Sequence, residues 1–210
     1  MILPGQATDP GGIIENGGHT MKRAYWVVLL LILIALPTGV TAGARGEANF
    51  KAATPVFVMS AGQSMDAEMI YVSAKRAKVT VVYDPMASYD TIQKSGAKTL
   101  IVGFGNSGKG LGAAGVSEKE EYQRISDVLT KAKRNNITII GAHVGGSVRR
   151  GAITHQFMDP FLSYCDAFFC LNDSDFDGFF TSASKQHGWP LLKIPEITDV
   201  GALLKQIFAI

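Results

Sequence analysis

Six apolar runs separated by stretches of helical periodicity predict an α/β fold, a doubly wound and mostly parallel six-stranded sheet with helices on both faces. Two observations carry this prediction. The apolar runs are continuous rather than alternating, which is the pattern of strands covered on both sides. Between them, apolar residues recur three and four positions apart, the pattern of amphipathic helices packed against a sheet.

The first strand is expected at Pro55–Ser60 (PVFVMS), followed by a helix from about Ser64 to Lys78 with Met65, Met69, Ile70 and Val72 on one face. Val79–Tyr83 is the second strand; Asp84-Pro85 and a short helix near Tyr89–Lys94 follow. Thr99–Val102 is the third, running into a loop with glycine at 103, 105, 108, 110, 112 and 115. Ser117-Glu118-Lys119-Glu120 then opens a helix with a capping box, in which Ser117 and Glu120 satisfy each other's end amides. Tyr122, Ile125, Val128, Leu129 and Ala132 form its buried stripe, and Asn135-Asn136 ends it. The fourth strand, Ile137–Ala142, leads into the loop His143–Gly151. A helix is expected over about Ile153–Tyr164, with Phe157, Phe161 and Leu162 inward and a kink at Pro160. The fifth strand, Ala167–Leu171, passes through a polar turn at Asn172–Asp175 into a helix ending near Gln186. Pro190–Ile194 is the sixth, and the last helix buries Val200, Leu203, Leu204, Ile207 and Phe208. Such an arrangement is a three-layer sandwich of the flavodoxin-like or Rossmann-like kind.

Residues 55–210 are therefore read as a single α/β domain, preceded by a linker over 45–54. Within 21–44, Met21-Lys22-Arg23 precedes an apolar run, Ala24–Leu36, and then small residues around Ala42 and Ala44. Basic start, short apolar centre and small residues before a cut are the parts of a secretory signal peptide. The alternative is an uncleaved anchor, because 24–42 carries no charge, although the run is short for a span of roughly 20 residues. Residues 1–20, rich in glycine and polar residues, read as a disordered, over-extended start. The expectation is an exported domain, periplasmic or extracellular, touching membrane only through residues 24–42 and only if the signal is not cleaved. The charges nearly balance, 20 Lys+Arg against 18 Asp+Glu, with no basic block, so no nucleic-acid partner is expected. Cys165 and Cys170, at a helix end and within the next strand, are expected as two buried thiols too far apart to bridge.

The glycine-rich stretch Lys98–Gly115 is the strongest functional signal. Its glycines weaken any helix or strand, and glycine lets backbone amides approach a bound group closely. At the carboxyl end of a strand in an α/β sheet this reads as a ligand site, and ligands bind where strand order reverses. The loops 60–64, 103–115, 143–151 and 172–177 share that edge. The expected binding residues are Ser60, Gln63 and Ser64 from the first loop, and Gly105, Asn106, Ser107, Lys109 and Gly110 from the second. The third loop adds His143, Gly145, Gly146 and Arg149. Arg149 and Arg150 are planar donors suited to carboxylate or phosphate; surface ion pairs are the competing explanation, held evenly for Arg150.

Two nucleotide patterns occur in the second loop and fail on context. Gly103–Gly108 fits G-x-G-x-x-G but follows the third strand, and the next helix cap is Ser117. Gly103–Lys109 fits G-x-x-x-x-G-K, but Gly110 stands where Ser or Thr should hold magnesium. The first loop resembles a flavodoxin phosphate loop only loosely, and Asp66 and Glu68 would repel a phosphate there. Ser64 serves equally as a plain N-cap. No cofactor is expected, and no His/Cys cluster has metal-ligand spacing. A lone His143 at the end of a buried strand reads first as a structural histidine.

Taken together, SAGQS, GNSGKGLGAAG and HVGGSVRRG behind a signal peptide resemble a family of bacterial secreted domains of unknown function. The likeness covers most of 55–208 and rests mainly on the second and third loops. It implies the same domain and export, and offers no catalytic assignment. Three readings of function follow from the residues. The first is a non-catalytic domain binding a small anionic molecule in a crevice of glycine-rich loops. The second is a hydrolase or transferase using Ser107 or Ser64 with His143 as base and Asp173 or Asp175 to orient it, although no G-x-S-x-G elbow is present. The third is a protein-interaction module of an envelope or transporter complex, its partner unknown; it predicts an exposed apolar patch and a closed crevice.

Overall fold

The computed structural model describes residues 50–210. The expected start, the export signal and the first half of the linker lie outside the described residues. Among the described residues no helix is long and apolar enough to cross a membrane. The six strands are β1 (Val56–Ala61), β2 (Val81–Tyr83), β3 (Thr99–Phe104), β4 (Thr138–His143), β5 (Ala167–Leu171) and β6 (Leu191–Ile194). They form one sheet in the order β2-β1-β3-β4-β5-β6, and every pairing is parallel. Strand order therefore reverses between β1 and β3. Side chains alternate across the sheet as the pleat requires. Phe57, Met59 and Ala61 of β1 enter one core, and Val56 and Val58 the other.

Among the described residues six α-helices lie in the crossovers, α1 (Asp66–Arg76), α2 (Tyr89–Lys94), α3 (Gly108–Ala114), α4 (Glu118–Arg134), α5 (Ala152–Met158) and α6 (Phe179–His187), and a seventh, α7 (Val200–Phe208), follows β6. Residues of α1 and α7 pack on one face of the sheet; those of α2, α4, α5 and α6 pack on the other. The α4 capping box is present, with Ser117 Oγ accepting from Glu120 N and Glu120 Oε2 accepting from Ser117 N. The helix after β4 stops at Met158 and continues as 3₁₀ turns over Asp159–Tyr164, because Pro160 can supply no amide to an α-helical ladder. Cys165 and Cys170 are free and buried, and burial pushes both thiols up to about 12, which leaves them unreactive at neutral pH.

Tyr122, expected in the buried stripe of α4, is exposed, and β2 begins at Val81 rather than Val79; two further differences bear on the site. Helix α1 buries Ala67, Ile70 and Ala74, while Met65 and Val72 are exposed. A Cβ on Gly103 would lie 2.5 Å from Ala67 N, so the helix rests directly on the backbone of β3, and only small residues fit its inner face. Met65, Met69 and Val72 instead line a groove of about 580 Å³ beside Ile197 and Ala202, between α1 and α7. The second difference is α3, which occupies part of the stretch read as a glycine loop. Ser107 caps it by accepting from Gly110 N, and Gly115 ends it at φ +69°.

Candidate ligand-binding site

At the β1–β3 reversal, the place where such sheets bind ligands, the crevice is closed by the chain itself. Gly105 N donates to Ala61 O at 3.0 Å and Ser107 N to Gly62 O at 2.8 Å, while Gln63 and Asn106 form an antiparallel bridge. The glycines serve this contact. A Cβ on Gly62 would lie 2.3 Å from Gly105 O, and one on Gly110 would lie 2.0 Å from Gln63 O. Gly110→Ala is accordingly expected to cost about 1–3 kcal/mol of stability by overpacking. Gly108→Ala, where a Cβ would meet nothing within 4 Å, is expected to be neutral or stabilising in urea unfolding.

A buried acid locks the closed corner. Glu121, in the first turn of α4, has no exposure and accepts from Gly62 N and Gln63 Nε2 at 2.9 Å each. Arg124 completes the pair through two nitrogens, then donates onward to Ser60 O and Ala87 O. Both side chains of a buried ion pair thus find further partners, the condition under which such a pair is tolerated.

A second buried acid ties α1 to the loop after β4. Asp66 Oδ1 accepts from Val144 N at 2.7 Å and Gly145 N at 2.9 Å, and Oδ2 accepts from Ser64 Oγ at 2.7 Å. His143 lies beside it, Nδ1 3.6 Å from Oδ1, and is itself fully buried. Its Nδ1 faces Phe104 O at 2.8 Å and its Nε2 faces Gly146 O at 3.4 Å. The imidazole is a structural link between strand ends, with no face open to a substrate.

The open space lies one strand further along, between the loops that follow β3 and β4. This cleft has a volume of about 730 Å³, within the usual size of small-molecule sites. Ser64 and Asp66 lie at its base, Asn106, Ser107 and Leu111 on one wall, and Val148–Thr154 on the other, with Glu118 also lining it. Arg149 is exposed and has no ion-pair or side-chain hydrogen-bond partner among the described residues. Its stem lies over Gly145, where a Cβ would come within 2.6 Å of Arg149 Cδ. Absence of a side chain at 145 therefore gives the arginine its place.

Arg150 has the opposite fate. Its guanidinium is buried against Phe179 and Phe180, pairs with Asp177 at 3.0 Å and donates to Ser174 O. Its Nε donates to His155 Nε2 at 2.5 Å, which requires that nitrogen to be unprotonated. Beyond it, Asp175 caps α6 through Phe180 N and Thr181 N and pairs with Lys193. Burial pushes the Asp175 carboxyl up, but Lys193 and Thr181 outweigh it and hold it below the usual value.

Burial, and then the Arg150 charge, hold His155 below its ordinary value of 6.5. The folded state thus binds this proton less readily than the unfolded chain. His155's contribution to stability is complete above 6.5 and falls as pH drops below it. The urea midpoint is expected to fall between pH 7.5 and pH 5, a window above the range in which Asp175 titrates. The fall should be smaller in His155→Gln; equal slopes in both proteins would refute the assignment.

Of the expected site residues, Ser64, Gly105, Asn106, Ser107 and Arg149 line the cleft. Ser60, Gln63, His143, Gly145 and Gly146 form the scaffold beneath and beside it. Lys109 is exposed on α3, outside the lining, and Gly110 packs on Gln63. The hydrolase arrangement is not assembled, since Ser107 is a helix cap, Ser64 donates to Asp66 and His143 is buried. Asp66 and Glu121 carry the architecture of the site and Thr154 lines the cleft; none of the three was among the expected residues. For Glu121 the available signal was an acid and a base three apart at the start of α4.

An all-parallel three-layer sheet in this order, with its loops gathered at one edge, defines a flavodoxin-like α/β domain. Residues 53–208 match the family model described as "Domain of unknown function (DUF6305)", and the chain belongs to that family. No curated protein matches it. Among solved structures it is similar to a cysteine-to-serine mutant of flavodoxin from Pseudomonas aeruginosa, at 13% identity and TM-score 0.36, over 72% of this chain and 97% of that one. It is also similar to the psychrotrophic esterase EstA from Pseudoalteromonas sp., at 9% identity and TM-score 0.27, over 66% and 76%. The SGNH-hydrolase family esterase AlinE4 matches at 14% identity and TM-score 0.26, over 76% and 82%. Overlaps this low carry no statement about function.

Proposed function

We propose that this domain binds a small anion in the cleft between the loops after β3 and β4, without catalysing its conversion. The supporting observation is Arg149, whose stem lies over Gly145 and whose guanidinium has no acid partner among the described residues, at a cleft lined by Asn106, Ser107 and Thr154. A planar guanidinium and neutral hydroxyl or amide donors suit a carboxylate or phosphate oxygen pair. We place the activity outside the cytoplasm, on the basic, apolar and small-residue order of residues 21–44.

Arg149→Ala is expected to weaken binding of inorganic phosphate or acetate at least tenfold, measured by calorimetry. Stability should change by no more than about 0.5 kcal/mol, because the residue is exposed. Lys109→Ala should have the smaller effect. Unchanged affinity in Arg149→Ala would remove the site from this cleft. The apolar groove between α1 and α7 favours a second reading, an interaction module that docks a partner there.

A further inference from the structure

The apolar residues of the cleft have no role in the reading above. Val148 is 92% exposed and Ile153 67% exposed, and both line the wall that carries Arg149. Single exposed aliphatic residues are ordinary on protein surfaces. Here two of them share a wall of one cleft with a cation that has no acid partner among the described residues, with Ala152 on the same wall and Leu111 on the facing one. The remaining charges limit the headgroup. Asp66 is satisfied by two amides and a hydroxyl, so it presents no free oxygen pair to a ligand. Glu118 is exposed and also lines the cleft. One guanidinium without an acid partner among the described residues, with the Glu118 and Asp66 carboxylates lining the same cleft, supports at most a single negative charge and disfavours a polyphosphate.

We infer that the cleft takes an amphipathic monocarboxylate: its headgroup on Arg149 and the Asn106–Ser107 wall, its apolar chain or ring against Val148, Ile153 and Leu111. This rests on the anion-binding reading and specifies the ligand class. A bidentate carboxylate fixes the headgroup, and the aliphatic wall then contributes with each carbon it covers.

The test is calorimetry on the full-length protein with acetate, butanoate, hexanoate, octanoate, 1-octanol, phosphate and pyrophosphate. Affinity is expected to rise roughly three- to fourfold for each added methylene until the wall is covered. Octanoate should bind at least tenfold more tightly than 1-octanol and than pyrophosphate. Arg149→Gln should remove the preference for octanoate over 1-octanol. Val148→Asn with Ile153→Asn should flatten the chain-length dependence. Both residues are exposed, so these variants are expected to fold, and they separate the cleft from any other apolar segment of the chain. A flat chain-length series with phosphate and acetate still bound would overturn the amphipathic class and leave the anion reading standing. No binding of any anion would overturn both. A chain-length dependence that persists in the Val148/Ile153 double variant would place the apolar contact elsewhere and overturn this proposal.

Discussion

Asp66→Ala is expected to lower stability by about 3–5 kcal/mol, the largest effect of any single change at the sheet edge. The carboxylate is wholly buried and satisfies Val144 N and Gly145 N, which would both be orphaned. Each buried amide left without a partner costs about 1–3 kcal/mol, and the removed side-chain volume adds a cavity. For a domain of this size about 1 kcal/mol corresponds to roughly 2–4 °C, so the melting temperature should fall by roughly 6–20 °C. Asp66→Asn should be milder, because an amide oxygen can still accept both backbone N–H groups while its NH2 faces Ser64 Oγ. Thermal and urea unfolding followed at Trp189, which is buried, measures both. A loss below 1 kcal/mol in Asp66→Ala would mean that the β4 loop finds other partners. Because Gly145 is one of the two amides held, loosening it should also displace Arg149 and weaken anion binding.

Glu121→Ala should be nearly as damaging, at about 3–5 kcal/mol, because it leaves the partly buried Arg124 guanidinium without its acid. Gly62 N loses its acceptor in the same step, and Gln63 Nε2 keeps only Pro85 O. Replacing the pair together, Glu121→Leu with Arg124→Met, removes the stranded charge but still strands Ser60 O, Ala87 O and Gly62 N. The double variant should therefore recover only part of the loss. Its coupling energy in a double-mutant cycle should exceed about 1 kcal/mol. Additive single and double losses would mean that the two side chains act independently.

These two acids mark the boundary of what the sequence made legible. The six strands, the α4 capping box and the α7 stripe follow from local pattern, since each depends on residues a few positions apart. The buried face of α1 does not. It is decided by the approach of the helix to Gly103, 37 positions beyond the first residue of the helix. Glu121 reads as one acid among three in a solvated first turn until Arg124 and the β1 loop close over it. Helix α3 was hidden by its composition, though the Ser107 cap and Gly115 terminator were there to be read. Arg149 and Arg150 are neighbours in sequence, yet one is exposed without a side-chain partner among the described residues and the other is buried among aromatic rings. Nothing in a dipeptide distinguishes them; the aromatic side chains that do so come from Phe176–Phe180.

The same limit applies to the site. Strand order puts the expected site at the carboxyl edge of the sheet, and an open cleft lies at that edge. It is displaced by one strand because the glycines of the β1 and β3 loops let the backbones meet and close the reversal point. An amide-resolved NMR titration of the protein with octanoate tests the central claim most directly. Binding in the cleft predicts shifts concentrated at Gly105–Gly108 and Val148–Thr154, absent in Arg149→Gln. Shifts at Met65–Val72 and Ile197–Ala202, or none localised to the sheet edge, would contradict it.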